Sequence, residues 1–325
     1  MKMTSPHTVA RQMNRCAAAH TPFLFAFDFE LENAIFMENP LEQQDILFRT
    51  PLGGNSTVKR KDIDTRLTAY PMSLEAYQQR FDTISHGLHR GDSFLANLTV
   101  QTPIVCNASM LDIFETSRAP YCLLVPEHFV CFSPEIFVRI EGNTISTFPM
   151  KGTIDAALPN ARETILNDPK ETAEHVTVVD LLRNDLGLNA NEVEVARFRY
   201  IDQIDTPQRS ILQVSSEIKG TLSNDWQAKL GDIILSMLPA GSVSGAPKTS
   251  TIRLIHKAEQ GQKRGFYTGV FGYYDGERLD SGVLIRYIEK VQGKFYFRSG
   301  GGITVNSNCL SEYNETIEKI YLPAT

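Results

Sequence analysis

Tyr267-Thr-Gly-Val-Phe-Gly-Tyr-Tyr-Asp-Gly-Glu-Arg-Leu-Asp-Ser-Gly-Val-Leu-Ile-Arg-Tyr-Ile-Glu-Lys-Val-Gln-Gly-Lys-Phe-Tyr-Phe-Arg298 holds three runs rich in β-branched and aromatic residues. The runs Tyr267–Tyr274, Ser281–Lys290 and Lys294–Arg298 have the length and residue types of strands. Asp275-Gly276, between the first two, suits a tight turn because glycine takes positive φ without a Cβ clash. The stretch is expected to form an antiparallel meander.

Similar runs lie upstream. Phe23–Phe27 and Asn33–Met37 read as a hairpin, with Ile46–Arg49 as a third strand. Phe94–Val100, Tyr121–Val125, His128–Phe132, Ile136–Ile140, Thr144–Phe148, Val193–Ile201 and Ile211–Lys219 read the same way. Pro51–Tyr70 is polar and Gly-containing, as in a loop or hinge. Helical spacing is clearest in Ser73–Arg90, where Leu74, Tyr77, Phe81, Ile84 and Leu88 share one face. Ser73 can cap its start and Gly91 can end it. Further helices are expected near Asn107, over Pro159–Asn184, Trp226–Leu238, Pro247–Glu259 and Leu310–Tyr321. Strands and helices come in blocks without regular alternation, which argues for an α+β fold with antiparallel sheets.

The chain has 325 residues, 42% hydrophobic and 22% charged, so it can bury a substantial core. Its 32 basic and 38 acidic residues give a net charge of −6. With no basic block, this argues against nucleic acid, whose phosphates demand positive charge. No uncharged apolar run reaches the roughly 18 residues of a membrane span. Met1–Ala19 lacks the apolar stretch of a secretion signal. Cys16, Cys106, Cys122, Cys131 and Cys309 form no C-x-x-C pair, which fits a reduced, cytoplasmic protein without a disulfide framework or zinc site.

Four features can carry chemistry. Glu171-x-x-Glu174 and Glu312-x-x-Glu315 each place two carboxylates on one helix face. Glu174 and Glu315 together suit a hard, oxygen-seeking ion such as Mg²⁺; two solvated acidic faces also fit the pattern. Lys151, in Phe148-Pro-Met-Lys-Gly-Thr153, follows a strand and precedes a turn, so its amine can project from a sheet end or be an ordinary loop lysine. Arg298-Ser-Gly-Gly-Gly302 offers backbone N–H groups to an anion, or is a tight turn. Leu238–Lys248 is a small-residue loop entering a helix N-terminus, without the spacing of a P-loop.

In order and spacing, these motifs resemble the chorismate-utilising family of anthranilate, aminodeoxychorismate, isochorismate and salicylate synthases. The matching text is Gly91–Leu98, Ser133-Pro-Glu135, Pro149–Thr153, Glu171–His175, Asp180–Asp185, Pro239–Lys248, Arg264–Tyr267, Ile285-Arg286, Gly300–Gly302 and Glu312–Thr316 with Lys319. The resemblance implies two stacked antiparallel sheets with helices outside and a cleft between the sheets. It implies one chorismate-binding domain over 1–325, with a shortened N-terminal part (1–72) and the family core in 73–325.

By the same resemblance, Glu174 and Glu315 bind Mg²⁺, with Glu171 and Glu312 as an outer layer. Gly152 and Thr153 line the ring-carboxylate end. Tyr267, Arg286 and the glycines Gly300, Gly301 and Gly302 hold the enolpyruvyl carboxylate. Lys151 stands where aminodeoxychorismate synthases carry a lysine and anthranilate synthases an alanine. Its amine would attack ring C2 and expel the C4 hydroxyl, with Glu135 as general acid; ammonia would then displace it. The ammonia is expected from a partner glutamine amidotransferase, in the synthesis of p-aminobenzoate and folate. Anthranilate synthesis and a catalytically inactive relative are the alternatives. Isochorismate and salicylate synthases place a lysine base at the position of Leu95, and leucine cannot activate water. Amine-using members usually have Gln there. Gln213 stands where the family has an active-site His, and it cannot shuttle a proton. Asn306 and Asn308 replace the Asp of many relatives.

Overall fold

Phe23–Phe27 is apolar at every position because both of its faces are covered. The computed structural model describes residues 3–59, 65–205 and 210–323. The chain opens with α1 (Pro6–Ala18), β1 (Phe23–Phe27) and β2 (Ala34–Glu38). Next are β3 (Leu47–Thr50), β4 (Gly53–Gly54), β5 (Leu67–Ala69), α2 (Leu74–His89), β6 (Leu95–Cys106) and α3 (Met110–Thr116). Then come β7 (Tyr121–Val125), β8 (Phe129–Ser133), β9 (Ile136–Glu141), β10 (Thr144–Thr147) and β11 (Met150–Asp155). Helices α4 (Ala161–Asn167) and α5 (Pro169–Gly187) lead into β12 (Asn191–Asp205) and β13 (Ser210–Thr221). They are followed by α6 (Leu230–Ser236), β14 (Gly245–Ala246) and α7 (Lys248–Ala258). Last are β15 (Val270–Tyr274), β16 (Leu279–Val283), β17 (Tyr287–Val291), β18 (Lys294–Ile303) and α8 (Cys309–Glu318).

These strands form two antiparallel sheets. The first runs β11-β13-β10-β9-β16-β15-β1-β2, with β12 also on β13. The second runs β14-β6-β18-β17-β8-β7-β3-β4, with β5 also on β6. Leu24 and Ala26 of β1 meet Leu123 and Val125 of β7, Cys131 of β8 and Tyr287 of β17 in the layer between the sheets. On the opposite face of β1, Phe23, Phe25 and Phe27 pack with Val9 and Met13 of α1, Val178 and Leu182 of α5 and Ile234 of α6. Helices α2 and α7 cover β6 through Tyr77, Phe81, Ile84, Leu254 and Ile255. Helix α3 covers β7 and β8 through Ile113 and Phe114. Each such buried side chain contributes about 1.5–3 kcal/mol. The α+β reading, with stacked antiparallel sheets and helices outside, describes this architecture.

Several local expectations need correction. Helix α1 was not foreseen; Ser5 caps it by accepting from the Thr8 N–H. The third strand exists, but β3 pairs with β7 in the second sheet and does not extend the β1–β2 hairpin. Pro51–Tyr70 contains β4 and β5, while residues 60–64 of it lie outside the described residues.

The expected meander is only half formed. β15 and β16 make the hairpin, with the Asp275 carboxylate accepting from the N–H groups of Glu277 and Arg278 in the turn. The run Ser281–Lys290 is not one strand: β16 ends at Val283 in the first sheet and β17 starts at Tyr287 in the second. Leu284, Ile285 and Arg286 carry the chain across. Arg286 takes the left-handed turn, at φ 53°, and its carbonyl accepts from the Phe132 N–H. Leu284 is fully buried, so the run stays apolar into the crossing and only Arg286 interrupts it. Among the described residues no helix is long and apolar enough to cross a membrane, and the five cysteines are all free.

Candidate active site

Lys151 does not stand at a strand end before a turn. It lies inside β11, in a bulge on β13: Met150 pairs with Ser215 and Thr153 with Gln213. Lys151 and Gly152 therefore share the space opposite Val214, and Gly152 takes φ 78°, where a side chain would be strained. A bulge of this kind re-aims side chains. The Lys151 Nζ sits 3.8 Å from Glu174 Oε2 of α5, and the two side chains are 25% and 9% exposed. That separation exceeds a hydrogen bond, so the amine stays within reach of its counter-charge without being locked to it.

The three glycines form neither a turn nor a free loop. They lie in β18, where Gly300, Gly301 and Gly302 pair with Thr99, Leu98 and Asn97 of β6. The absence of side chains brings the site together here. A Cβ on Gly302 would lie 3.5 Å from Lys151 Nζ and 3.0 Å from Leu95 Cδ1. A Cβ on Gly301 would lie 3.6 Å from both Glu312 Oε2 and Glu315 Oε1 of α8. One on Gly152 would lie 3.1 Å from Glu171 Oε2. β18 thus joins the α5 carboxylates and Lys151 on one side to the α8 carboxylates on the other. Lys319 completes the second group, 2.6 Å from Glu315 and donating to the Gly300 carbonyl at 2.8 Å. Asn308 caps α8 by accepting from the Ser311 N–H.

Among the described residues, no three acidic, His or Cys side chains stand close enough to hold a metal ion. The glutamates are arranged as two pairs, each beside a lysine. Their oxygen-only donor set, with Glu174 and Glu312 buried, matches what Mg²⁺ takes as ligands.

Glu135, just after β8, is half-buried and accepts from the Ser242 hydroxyl at 2.5 Å. Burial raises its pKa above the ordinary carboxyl value; Ser242 and the charges of Lys151, Arg286 and Lys319 pull it partly back. A carboxyl that keeps its proton to higher pH is suited to act as an acid. Arg286, on the crossing between sheets, donates from Nε to the Tyr321 hydroxyl at 2.8 Å. Tyr267 is buried, 5.8 Å from the Tyr287 ring, and burial pushes its hydroxyl up to about 12. Thr153 is exposed on the bulged strand, and Gln213 is half-buried opposite it. His175 is buried and bonded to Ser216 Oγ at 2.6 Å. Burial, with Arg199 and Lys151 adding to it, lowers its pKa to about 4, so it is neutral.

The loop 238–248 is packed and does not stand open to an anion. Lys248 Nζ donates to Asp185 and to the Met237 carbonyl, and Gly245-Ala246 pairs with β6. Its contribution to the site is Ser242. Neither Ser242 nor Tyr321 was singled out from sequence, because each meets its partner only through the fold.

The family described as chorismate binding enzyme matches residues 12–324. A Haemophilus influenzae protein named as an uncharacterised PabA-like protein is 49% identical over 315 residues, 96% of this chain and 95% of that one. Aminodeoxychorismate synthase component 1 of Bacillus subtilis is 30% identical over 268 residues, 78% of this chain and 56% of that one. The solved structure of anthranilate synthase component I from Streptococcus pneumoniae has a TM-score of 0.65 at 27% identity, covering 78% of this chain and 58% of that one. The chain therefore spans just over half the length of these two named enzymes. With its motifs in order and its match running over nearly its full length, the chain belongs to the chorismate-binding enzyme family.

Proposed function

We propose that the chain acts as an aminodeoxychorismate synthase component I, aminating chorismate at C4 through a lysine adduct. The observation that supports this most is Lys151 itself: a bulged strand aims its amine at the floor formed by Gly302, with Glu174 at 3.8 Å. The neutral amine of Lys151 forms a bond to ring C2. The C1=C2 double bond shifts to C1=C6, the C5=C6 double bond shifts to C4=C5, the C4–O bond breaks, and Glu135 gives its proton to the departing hydroxyl, which leaves as water. Ammonia then forms the C4–N bond, the C2–N bond breaks, and Lys151 recovers its electron pair. Arg286 holds the enolpyruvyl carboxylate with its planar fork, and Tyr267 and the β18 glycines line the same end. Glu174 and Glu315 would hold Mg²⁺, with Glu171 and Glu312 beside them. Bound there, the ion supplies Lewis-acid neutralisation of the ring carboxylate. A separate glutamine amidotransferase supplies the ammonia.

The test is intact-protein mass spectrometry after incubation with chorismate and Mg²⁺ but no ammonia. An added mass equal to chorismate less water, mapped to Lys151, is the expected result. If no adduct forms and Lys151→Ala still yields the para-aminated product, the lysine route is wrong. An ortho product from the wild-type chain would assign anthranilate chemistry instead.

A further inference from the structure

Arg286 is the cation on which the proposed carboxylate grip depends, and the segment after α8 is arranged around it. Lys319, the last residue of the helix end, turns inward to Gly300 and Glu315. Ile320 and Leu322 pack on the apolar cluster that contains Phe132, Ile288 and Phe297. Between these two anchors, Tyr321 lays its ring 5.2 Å from the Arg286 guanidinium carbon and accepts from Arg286 Nε at 2.8 Å. The Tyr321 side of the contact is partly open to solvent, at 46% exposure, so covering apolar surface does not account for the ring's placement. The Nη groups of Arg286 make no hydrogen bond among the described residues. Its backbone is fixed by the left-handed turn and by the bond from the Phe132 N–H.

We propose that Tyr321 is a positioning residue: by occupying the Nε edge of Arg286 with its ring beside the guanidinium, it fixes the side chain with its Nη edge left to receive a carboxylate. The inference rests on the reading of Arg286 as the carboxylate grip. A long arginine side chain loses rotamer freedom when it is fixed on a ligand. A hydrogen bond together with a ring contact fixes the guanidinium before substrate arrives, which lowers that cost on binding. Lys319 and Tyr321 lie two positions apart in a segment pinned by Ile320 and Leu322. One short stretch thereby serves both the α8 carboxylates and the carboxylate grip.

The experiment is a double-variant cycle on chorismate affinity, measured by calorimetry with Mg²⁺ in a Lys151→Ala background where no adduct can form, the wild-type residues at 286 and 321 being the reference, alongside kcat of the Lys151-containing variants under saturating chorismate and ammonia. Tyr321→Phe keeps the ring and removes only the hydroxyl. It is expected to weaken chorismate binding roughly 3- to 10-fold, the worth of one hydrogen bond, with kcat and melting temperature unchanged. Arg286→Lys keeps the charge and removes the fork. It is expected to weaken binding more, and adding Tyr321→Phe to it should change nothing further. If Tyr321→Phe binds chorismate as tightly as wild type while Arg286→Lys does not, the positioning role is wrong and the grip stands. Additive effects in the double variant would also overturn it, since Tyr321 would then act other than through Arg286. If Arg286→Lys has no effect, the grip reading itself fails and takes the tyrosine with it.

Discussion

Arg264 and Lys151 are both cations set beside a glutamate, and they are built in opposite ways. Arg264 is 1% exposed, and every nitrogen of its guanidinium has a use. Nε and Nη2 donate to Glu259, Nη1 to the Val243 carbonyl, and Nη2 also to the Asn97 carbonyl. Its guanidinium carbon lies 4.3 Å from the centre of the Phe29 ring, and Glu259 in turn accepts from the Thr99 backbone and hydroxyl. Lys151 is a quarter exposed and stands 3.8 Å from its glutamate. A sealed pair with satisfied donors ties β6, α7 and the loop at Val243 together; a loose pair leaves its amine available to a ligand. Position in the fold, more than residue type, separates a charge that holds structure from one that can react.

The comparison can be broken most directly at Lys151. Lys151→Ala should reduce C4 amination by more than about 10³-fold, as expected when the nucleophile is lost, yet leave the melting temperature within about 2 °C of wild type. A large loss of stability would place Lys151 with Arg264 as a structural cation. Glu135→Gln should slow adduct formation by roughly 10²–10⁴-fold, the range for a lost general acid, in a single-turnover assay. Unchanged adduct formation would remove Glu135 from the chemistry.

Arg264→Met tests the other side. It leaves Glu259 buried without its partner and should cost about 3–5 kcal/mol of stability in urea unfolding. Replacing Glu259 by Gln in the same chain should recover part of that. A loss below about 1 kcal/mol would show that the sealed pair is not a structural tie.

The smallest expected effect sharpens the electrostatics. The Ser242 hydroxyl donates to Glu135 and so favours its charged form. Ser242→Ala removes that help, and the pKa of Glu135 rises further. Activity needs the protonated acid and falls as pH rises through that pKa. The alkaline limb of the adduct-formation profile should therefore move to higher pH, with less than about a tenfold change in the maximal rate. A shift to lower pH would contradict the assigned donor.

What could be read from the sequence was what local spacing encodes. The face of α2, the β1–β2 hairpin and the turn at Asp275-Gly276 all follow from short-range periodicity and turn chemistry. The residues of the site were visible because their motifs are short: Lys151 with Gly152, the two spaced glutamate pairs, and the glycines of β18. Helix α1 escaped because its buried Val9, Ala10, Met13, Cys16 and Ala17 are mostly small and interrupted by Arg, Gln and Asn. Sheet membership escaped because it is not a local property. The residues of β3 and of the crossing at Leu284–Arg286 suit either sheet. Ser242 meets Glu135 across 107 residues, and Tyr321 meets Arg286 across 35, distances at which no spacing rule operates.

The bulge in β11 makes the placement of Lys151 a matter of counting. Lys151 and Gly152 together oppose a single residue of β13, so the in–out alternation of the strand is reset between Met150 and Thr153. Deleting Gly152 would restore an even ladder in which Met150 and Thr153 keep their partners and Lys151 alone opposes Val214. A lysine would still be written in the chain, held in the regular pleat of the strand and no longer by the bulge. Strand length is thus a second variable, alongside the choice of side chain, that sets how the Lys151 amine is held on this sheet.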